Sequence, residues 1–258
     1  MKKTLARKLT DIWYKDPFIG AWLMPLGFLF ADFVRFRRFL YRIKVLKTQR
    51  LPVLVIVVGN ITVGGTGKTP LIIELARLLT EQGYQVGIIS RGYGGDKSTQ
   101  LVTSNSTAAQ VGDEALLIAK QTGCPIAVSP LRVDAGRLLL ERHACNLILS
   151  DDGLQHYALY RDIEIAVIDG TRRFGNGYCL PAGPLREPIP RLNTMDFIVV
   201  NGEKTEEREH SMQITGDKAV NLVTGETKLL QQFIGETIEA VAGIGNPDRF
   251  FNLLNKAG

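Results

Sequence analysis

Gly59-Asn60-Ile61-Thr62-Val63-Gly64-Gly65-Thr66-Gly67-Lys68-Thr69-Pro70 lies between an apolar run, Leu51 to Val58, and a helix-patterned one, Leu71 to Thr80. An apolar strand, a glycine-rich turn, Gly-Lys-Thr and a helix, in that order, are the setting of a phosphate-binding loop. The glycines let backbone N–H groups close around phosphate oxygens with no Cβ in the way. The helix that follows offers its unpaired N–H groups and its positive dipole end to the same anion. The loop therefore spans Thr62, Val63, Gly64, Gly65, Thr66, Gly67, Lys68 and Thr69, with Lys68 reaching the β- and γ-phosphates and the Thr69 hydroxyl ligating Mg²⁺. The strict pattern has glycine six residues before the lysine, and Thr62 stands there instead. A chance glycine turn ahead of a helix is the bland alternative; the strand and helix on either side weigh against it.

Outward from the loop, strand-like runs alternate with helix-like ones. Leu71 to Gln82 reads as a helix stopped by Gly83, and Gln85 to Ser90 as a buried strand running into Arg91-Gly92-Tyr93-Gly94-Gly95. Ala115 to Gln121 is a short helix and Pro125 to Ser129 a strand. Ser129 as N-cap with Pro130 behind it starts a helix to about His143. Asn146 to Ser150, Ile163 to Ile168 and Phe197 to Val200 are further strands; residues 203–236 are polar and turn-rich; Glu239 to Ile244 and Asp248 to Lys256 read as one more strand and helix. This alternation predicts a P-loop NTPase-like α/β fold with a mostly parallel sheet flanked by helices. The division expected is an N-terminal segment over 1–50, a core over 51–238, and over 239–258 the start of a second lobe that reads as incomplete.

With 258 residues and 45% hydrophobic content the chain can bury a sizeable core. Its net charge of +5 is unevenly placed: residues 1–50 hold 12 Lys/Arg and 3 Asp/Glu, while the remainder holds 19 and 23. The body is mildly acidic, which argues against a nucleic-acid partner. Cys124, Cys145 and Cys179 are scattered and include no C-x-x-C pair, so neither a disulfide framework nor a thiolate metal site is indicated.

The N-terminal segment reads PFIGAWLMPLGFLFADFV over Pro17 to Val34, with basic residues before it and Arg35, Arg37, Arg38, Arg42, Lys44, Lys47 and Arg50 after it. As one helix it would rise about 27 Å, slightly short of a hydrocarbon core, with Pro25 kinking it near the middle. Aromatic and arginine side chains at helical spacing suit a helix lying on an anionic lipid surface. Packing on the globular body is the second reading, and a true span the third.

Several carboxylates are placed for chemistry. Asp151 and Asp152 end an apolar strand, where the Mg²⁺-holding acid of a phosphate-loop protein stands; either can contact the metal, or the pair can cap a turn. Asp113 and Glu114 open a helix and serve equally well as caps. Arg186 and Glu187 lie in FGNGYCLPAGPLREP, where the arginine suits a transferring phosphate and the glutamate the metal's shell. His156 can orient a phosphate or simply pack.

Taken together, GNITVGGTGKTP, SRGYGG, VGDE, SDDGLQHY, RRFGNGYCLPAGPLRE and AGIGNPDRFF resemble the tetraacyldisaccharide 4′-kinases of lipid A biosynthesis, in order and spacing over nearly the whole chain. The resemblance implies transfer of the γ-phosphate of ATP to the 4′-hydroxyl of a tetraacylated glucosamine disaccharide 1-phosphate, giving lipid IVA, with ATP and Mg²⁺ as cofactors. It implies Asp113 as catalytic acid, Asp151 and Asp152 as the metal pair, Thr62 to Thr69 as the ATP loop, and Arg186 and Glu187 as a distal pair. The expected partners are the acylated disaccharide and the inner-membrane lipid surface, at the cytoplasmic face of the bacterial inner membrane, and no protein partner is evident. The family continues into a lobe carrying a histidine that supports the catalytic aspartate, so an inactive truncated kinase is one alternative. A membrane-associated MinD/ParA-like regulatory NTPase is the other, although Val63 stands where that group carries lysine. The Asn255-Lys256 pair lacks the aspartate that reads guanine.

Overall fold

The computed structural model describes residues 12–14, 22–243 and 247–257. Helix α1 (Met24–Arg42) precedes strand β1 (Leu54–Gly59), the phosphate loop and α2 (Lys68–Glu81). Then come β2 (Val86–Ser90), β3 (Gln100–Leu101), α3 (Ala108–Val111), α4 (Asp113–Thr122), β4 (Ile126–Val128), α5 (Arg132–Arg142) and β5 (Leu147–Asp151). The chain goes on through β6 (Ile163–Asp169), β7 (Phe197–Asn201), β8 (Glu209–Met212), the hairpin β9 (Lys218–Val220) with β10 (Thr227–Leu229), and α6 (Pro247–Ala257).

Eight strands form one sheet in the order β3-β4-β2-β5-β1-β6-β7-β8, parallel except for β3. The central strands are apolar on both faces, as a covered parallel sheet requires. In β1, Val55 and Val57 pack with Val133, Ala135 and Leu139 of α5, while Ile56 and Val58 pack on the other face with Leu71, Ile72 and Ala76 of α2. This order puts β5 beside β1 with Val58 opposite Asp151, so the acids closing β5 lie level with the start of the phosphate loop. Ligands of open parallel sheets bind at this carboxyl end.

Several sequence expectations shift in detail. Pro25 does not kink the N-terminal helix; it occupies its first turn, where the missing N–H costs nothing. The part of the expected apolar helix over 17–21 lies outside the described residues. Helix α5 starts at Arg132 after Leu131, and the Ser129 hydroxyl accepts the Leu131 N–H at 3.2 Å, two residues too early to cap it. Residues 239–243 form no strand, and Ile244 lies outside the described residues. The polar stretch 203–236 supplies β8, which pairs in parallel with β7, besides the β9–β10 hairpin.

Helix α1 lies against the body through its smallest residues. Gly27 and Ala31 are buried, and a Cβ on Gly27 would come within 2.9 Å of the Ala182 Cβ. On another face Trp22, Leu26, Leu29, Phe33, Phe36, Phe39 and Ile43 are exposed at intervals of three or four residues, Trp22 at 91%. That spacing makes one continuous apolar stripe. The sequence alternatives of packing and surface exposure thus fall on two faces of one helix. Among the described residues no helix is long and apolar enough to cross a membrane.

Candidate active site

The phosphate loop is built by constraint from several sides. Gly67 takes φ +101°, left-handed backbone that a side chain would strain, and its Cβ would strike the Asn201 amide. Asn201 in turn donates to the Thr66 carbonyl at 3.1 Å. Thr62 is not a defect of the motif. It is buried and bridged to Leu185 in extended pairing, and the next residue, Val63, donates its N–H to the Pro184 carbonyl at 2.8 Å. A β-branched residue suits that extended, half-sheet environment. Lys68 begins α2 nearly buried; its ammonium donates to Asn60 Oδ1 at 3.2 Å and stands 3.5 Å from Asp152 Oδ1.

Opposite the loop stand the acids. Asp151 is buried, and its Oδ2 accepts the Ser90 hydroxyl at 2.9 Å while its Oδ1 makes no hydrogen bond. Burial pushes its carboxyl up to about 6, with the neighbouring charges of Glu114 and Asp152 adding to the rise. Burial also pushes Asp152 up, but Lys68 and Arg186 outweigh it and hold that carboxyl below its usual range. Arg186 donates to Asp152 Oδ2 at 2.9 Å and Oδ1 at 3.1 Å. Behind them Arg132, 2% exposed, donates to the Asp151 carbonyl at 2.8 Å. Burial lowers it to about 10, partly offset by Asp151 and Asp152. His156 is held down at about 4 by burial, then by the Arg132 and Arg91 charges, so its imidazole is neutral at physiological pH.

A cavity of about 860 Å³ joins these groups. The phosphate loop, Asp151, Asp152, Glu114, Arg91 and Arg186 line it, and α1 closes another wall with Phe30, Phe33, Val34 and Arg37. Phe33 thus belongs both to the cavity wall and to the exposed apolar stripe.

The structure brings together the phosphate loop, Lys68, Asp151, Asp152 and Arg186. It places two expected residues elsewhere. Glu187 is 1% exposed and turned into the body: it accepts hydrogen bonds from the Tyr157 hydroxyl and from Gln155 Nε2 at 2.7 Å, with Arg191 Nε at 3.3 Å. Its oxygens are committed to that network and do not join the acid cluster. Asp113 is exposed at the start of α4, its Oδ1 accepting the Glu114 N–H at 2.9 Å. Glu114 is the member that enters the cavity, where it accepts the Thr69 hydroxyl. The sequence offered no way to choose between these two neighbours, since both suit a helix N-terminus; the choice is made by which side of the first turn of α4 faces α2.

Among the described residues no group of three or more His, Cys, Asp or Glu stands ready to cage a metal by itself. The donors nevertheless suit Mg²⁺, which keeps waters and shares nucleotide phosphates instead of using an all-protein cage. Asp151 Oδ1 is a buried carboxylate oxygen without a hydrogen-bond partner, and its residue lines the same cavity as Glu114, which accepts the Thr69 hydroxyl.

A mostly parallel sheet with a lysine-bearing phosphate loop after its central strand and acids ending the adjacent one defines a P-loop NTPase-like protein. Comparison with known proteins narrows the class. The family model described as LpxK, tetraacyldisaccharide-1-P 4′-kinase, matches residues 19–258. A tetraacyldisaccharide 4′-kinase of Actinobacillus pleuropneumoniae serotype 5b is 50% identical over 96% of this chain and 77% of its own length, and one of Nitrosococcus oceani is 50% identical over 94% and 72%. The crystal structure of LpxK from Aquifex aeolicus in complex with ATP superposes with a TM-score of 0.78 at 30% identity, covering 92% of this chain and 78% of that one. The chain belongs to the tetraacyldisaccharide-1-phosphate 4′-kinase family.

Proposed function

We infer that this chain is an ATP-dependent kinase of lipid A biosynthesis, phosphorylating the 4′-hydroxyl of a tetraacyl glucosamine disaccharide 1-phosphate to give lipid IVA. Family membership carries the reaction. One structural observation supports its membrane side: the cavity holding the phosphate loop is walled by α1, whose outer stripe is apolar.

In the proposed mechanism Lys68 and the loop amides hold the β- and γ-phosphates. Thr69, Asp151 or Asp152, and Glu114 would hold Mg²⁺, which would supply neutralisation of phosphate charge. Arg186 faces the same phosphates from the Asp152 side. Asp113 does not line the cavity in this structure but stands exposed beside the cavity-lining Glu114 at the first turn of α4; from there it accepts the proton as the sugar oxygen bonds to the γ-phosphorus, the bond from that phosphorus to the β,γ-bridging oxygen breaks and ADP leaves. Chemistry of this kind is mainly positioning and electrostatics. The acyl chains stay in the lipid while the headgroup reaches the cavity past α1, at the cytoplasmic face of the inner membrane. The segment's basic residues add about 1 kcal/mol each of attraction to an anionic surface.

Incubation with γ-labelled ATP and the disaccharide lipid tests the reading. Labelled lipid is the expected product; lipid-independent ATP hydrolysis without labelled lipid would replace the kinase with a switch protein.

A further inference from the structure

Asn60 follows β1 directly and is fully buried, an unusual place for an amide unless both its ends are used. They are used on the phosphate loop: Oδ1 accepts from Lys68 Nζ at 3.2 Å, and Nδ2 donates to the Gly64 carbonyl at 3.3 Å. The Asn60 main-chain carbonyl accepts Gln155 Nε2 at 3.1 Å, and the same Gln155 nitrogen donates to Glu187 at 2.7 Å. The Gln155 main-chain carbonyl accepts Arg37 Nη1, at 3.1 Å, from helix α1. The Arg37 guanidinium also lies 5.4 Å from the Tyr157 ring centroid and 5.6 Å from that of Tyr41. Three successive contacts therefore run from the lipid-facing helix to the lysine that holds ATP.

We propose that Asn60 and Gln155 are positioning residues of the kinase reaction, joining the seat of α1 to the Lys68 ammonium so that docking of the helix pre-orders the phosphate site. Lys68 carries three donors on a long flexible stem. With one donor fixed on Asn60, the ammonium is set in place before nucleotide arrives, and less order is lost on binding. The role of Glu187 follows from the same chain: it anchors Gln155. This inference rests on the loop being the ATP site, and its test reads ATP affinity alone.

The experiment is a calorimetric titration of the full chain with ATP in the absence of any lipid acceptor, with thermal melting to verify folding. Arg37→Met keeps the apolar stem and removes the donor, so ATP is expected to bind about five-fold more weakly. Asn60→Ala is expected to weaken binding about ten-fold. Because the contacts act in series, Arg37→Met added to Gln155→Ala brings little further loss, whereas independent sites would multiply. Unchanged ATP affinity in folded Arg37→Met, or fully multiplicative losses in the double variant, overturns the proposal. Should Asn60→Ala fail to fold, the Arg37 and Gln155 variants decide alone. A wild-type chain that binds no ATP would sink the kinase reading itself, a result separate from the others.

Discussion

The Thr69 hydroxyl donates to Glu114 Oε1 across 45 positions of sequence, tying the first turn of α2 to the first turn of α4. Two helix N-termini thereby converge on the cavity that holds Asp151 and Asp152, and a carboxylate is fixed on the residue expected to meet the metal. Glu114→Gln is expected to lower Mg²⁺ affinity about ten- to a hundred-fold, the range seen when a supporting ligand is lost. Turnover measured across a Mg²⁺ titration checks this, and a wild-type curve would take Glu114 out of the metal site.

Asp113, next in sequence but exposed, has a separable role. Asp113→Asn is expected to leave ATP affinity unchanged and to cut turnover by about a hundred-fold or more, as loss of a general base does. Turnover near wild type would remove Asp113 from proton transfer.

The apolar stripe of α1 is separable from its docked face. Replacing Leu29, Phe33 and Phe36 together by serine should abolish co-sedimentation with anionic phospholipid vesicles, because exposed apolar area and surface charge act together in interfacial binding. Undiminished sedimentation would exclude the stripe from lipid contact.

Gly27 is where α1 touches the body. Gly27→Leu forces a side chain into Ala182 and the Cys179 carbonyl, which lies 3.0 Å from where even a Cβ would stand. The expected cost is about 2 kcal/mol, seen as a fall of about 5 °C in melting temperature. A melting temperature equal to wild type would show that the helix does not hold this seat in solution.

His156 sets an acid limit. Its folded pKa of about 4 lies below the unfolded value near 6.5, so the unfolded chain binds the extra proton as pH falls between them. Stability is therefore full above about pH 6.5 and declines towards pH 4, by about 1 kcal/mol per pH unit from this group. Denaturant unfolding of wild type and His156→Gln from pH 7 to 4.5 checks it; equal slopes would refute the assignment.

What was readable in the sequence is what short-range chemistry specifies. The run from Leu51 to Thr80 has one sensible fold, and Asp151-Asp152 closing an apolar strand has one sensible neighbour, the phosphate loop. The resemblance across the motif blocks supplied the family. Glu187 was misplaced because its partners, Tyr157 and Arg191, reach it through tertiary packing that no spacing displays. Glu114 and Asp113 were indistinguishable because a helix N-terminus welcomes both. Strand β8 was hidden because its pairing with β7 is non-local: in Glu-His-Ser-Met the buried first residue, Glu209, meets Arg173 at 2.7 Å, so burial there has no apolar signature.

The position of Phe33, at once on the oily outer stripe and in the wall of the nucleotide cavity, makes α1 more than an address label. Trimming the chain to obtain an easily handled soluble enzyme would open one side of the chamber in which the reaction is run. If the stripe is the proposed lipid contact, detergent or lipid in an assay would cover the outer side of that same wall.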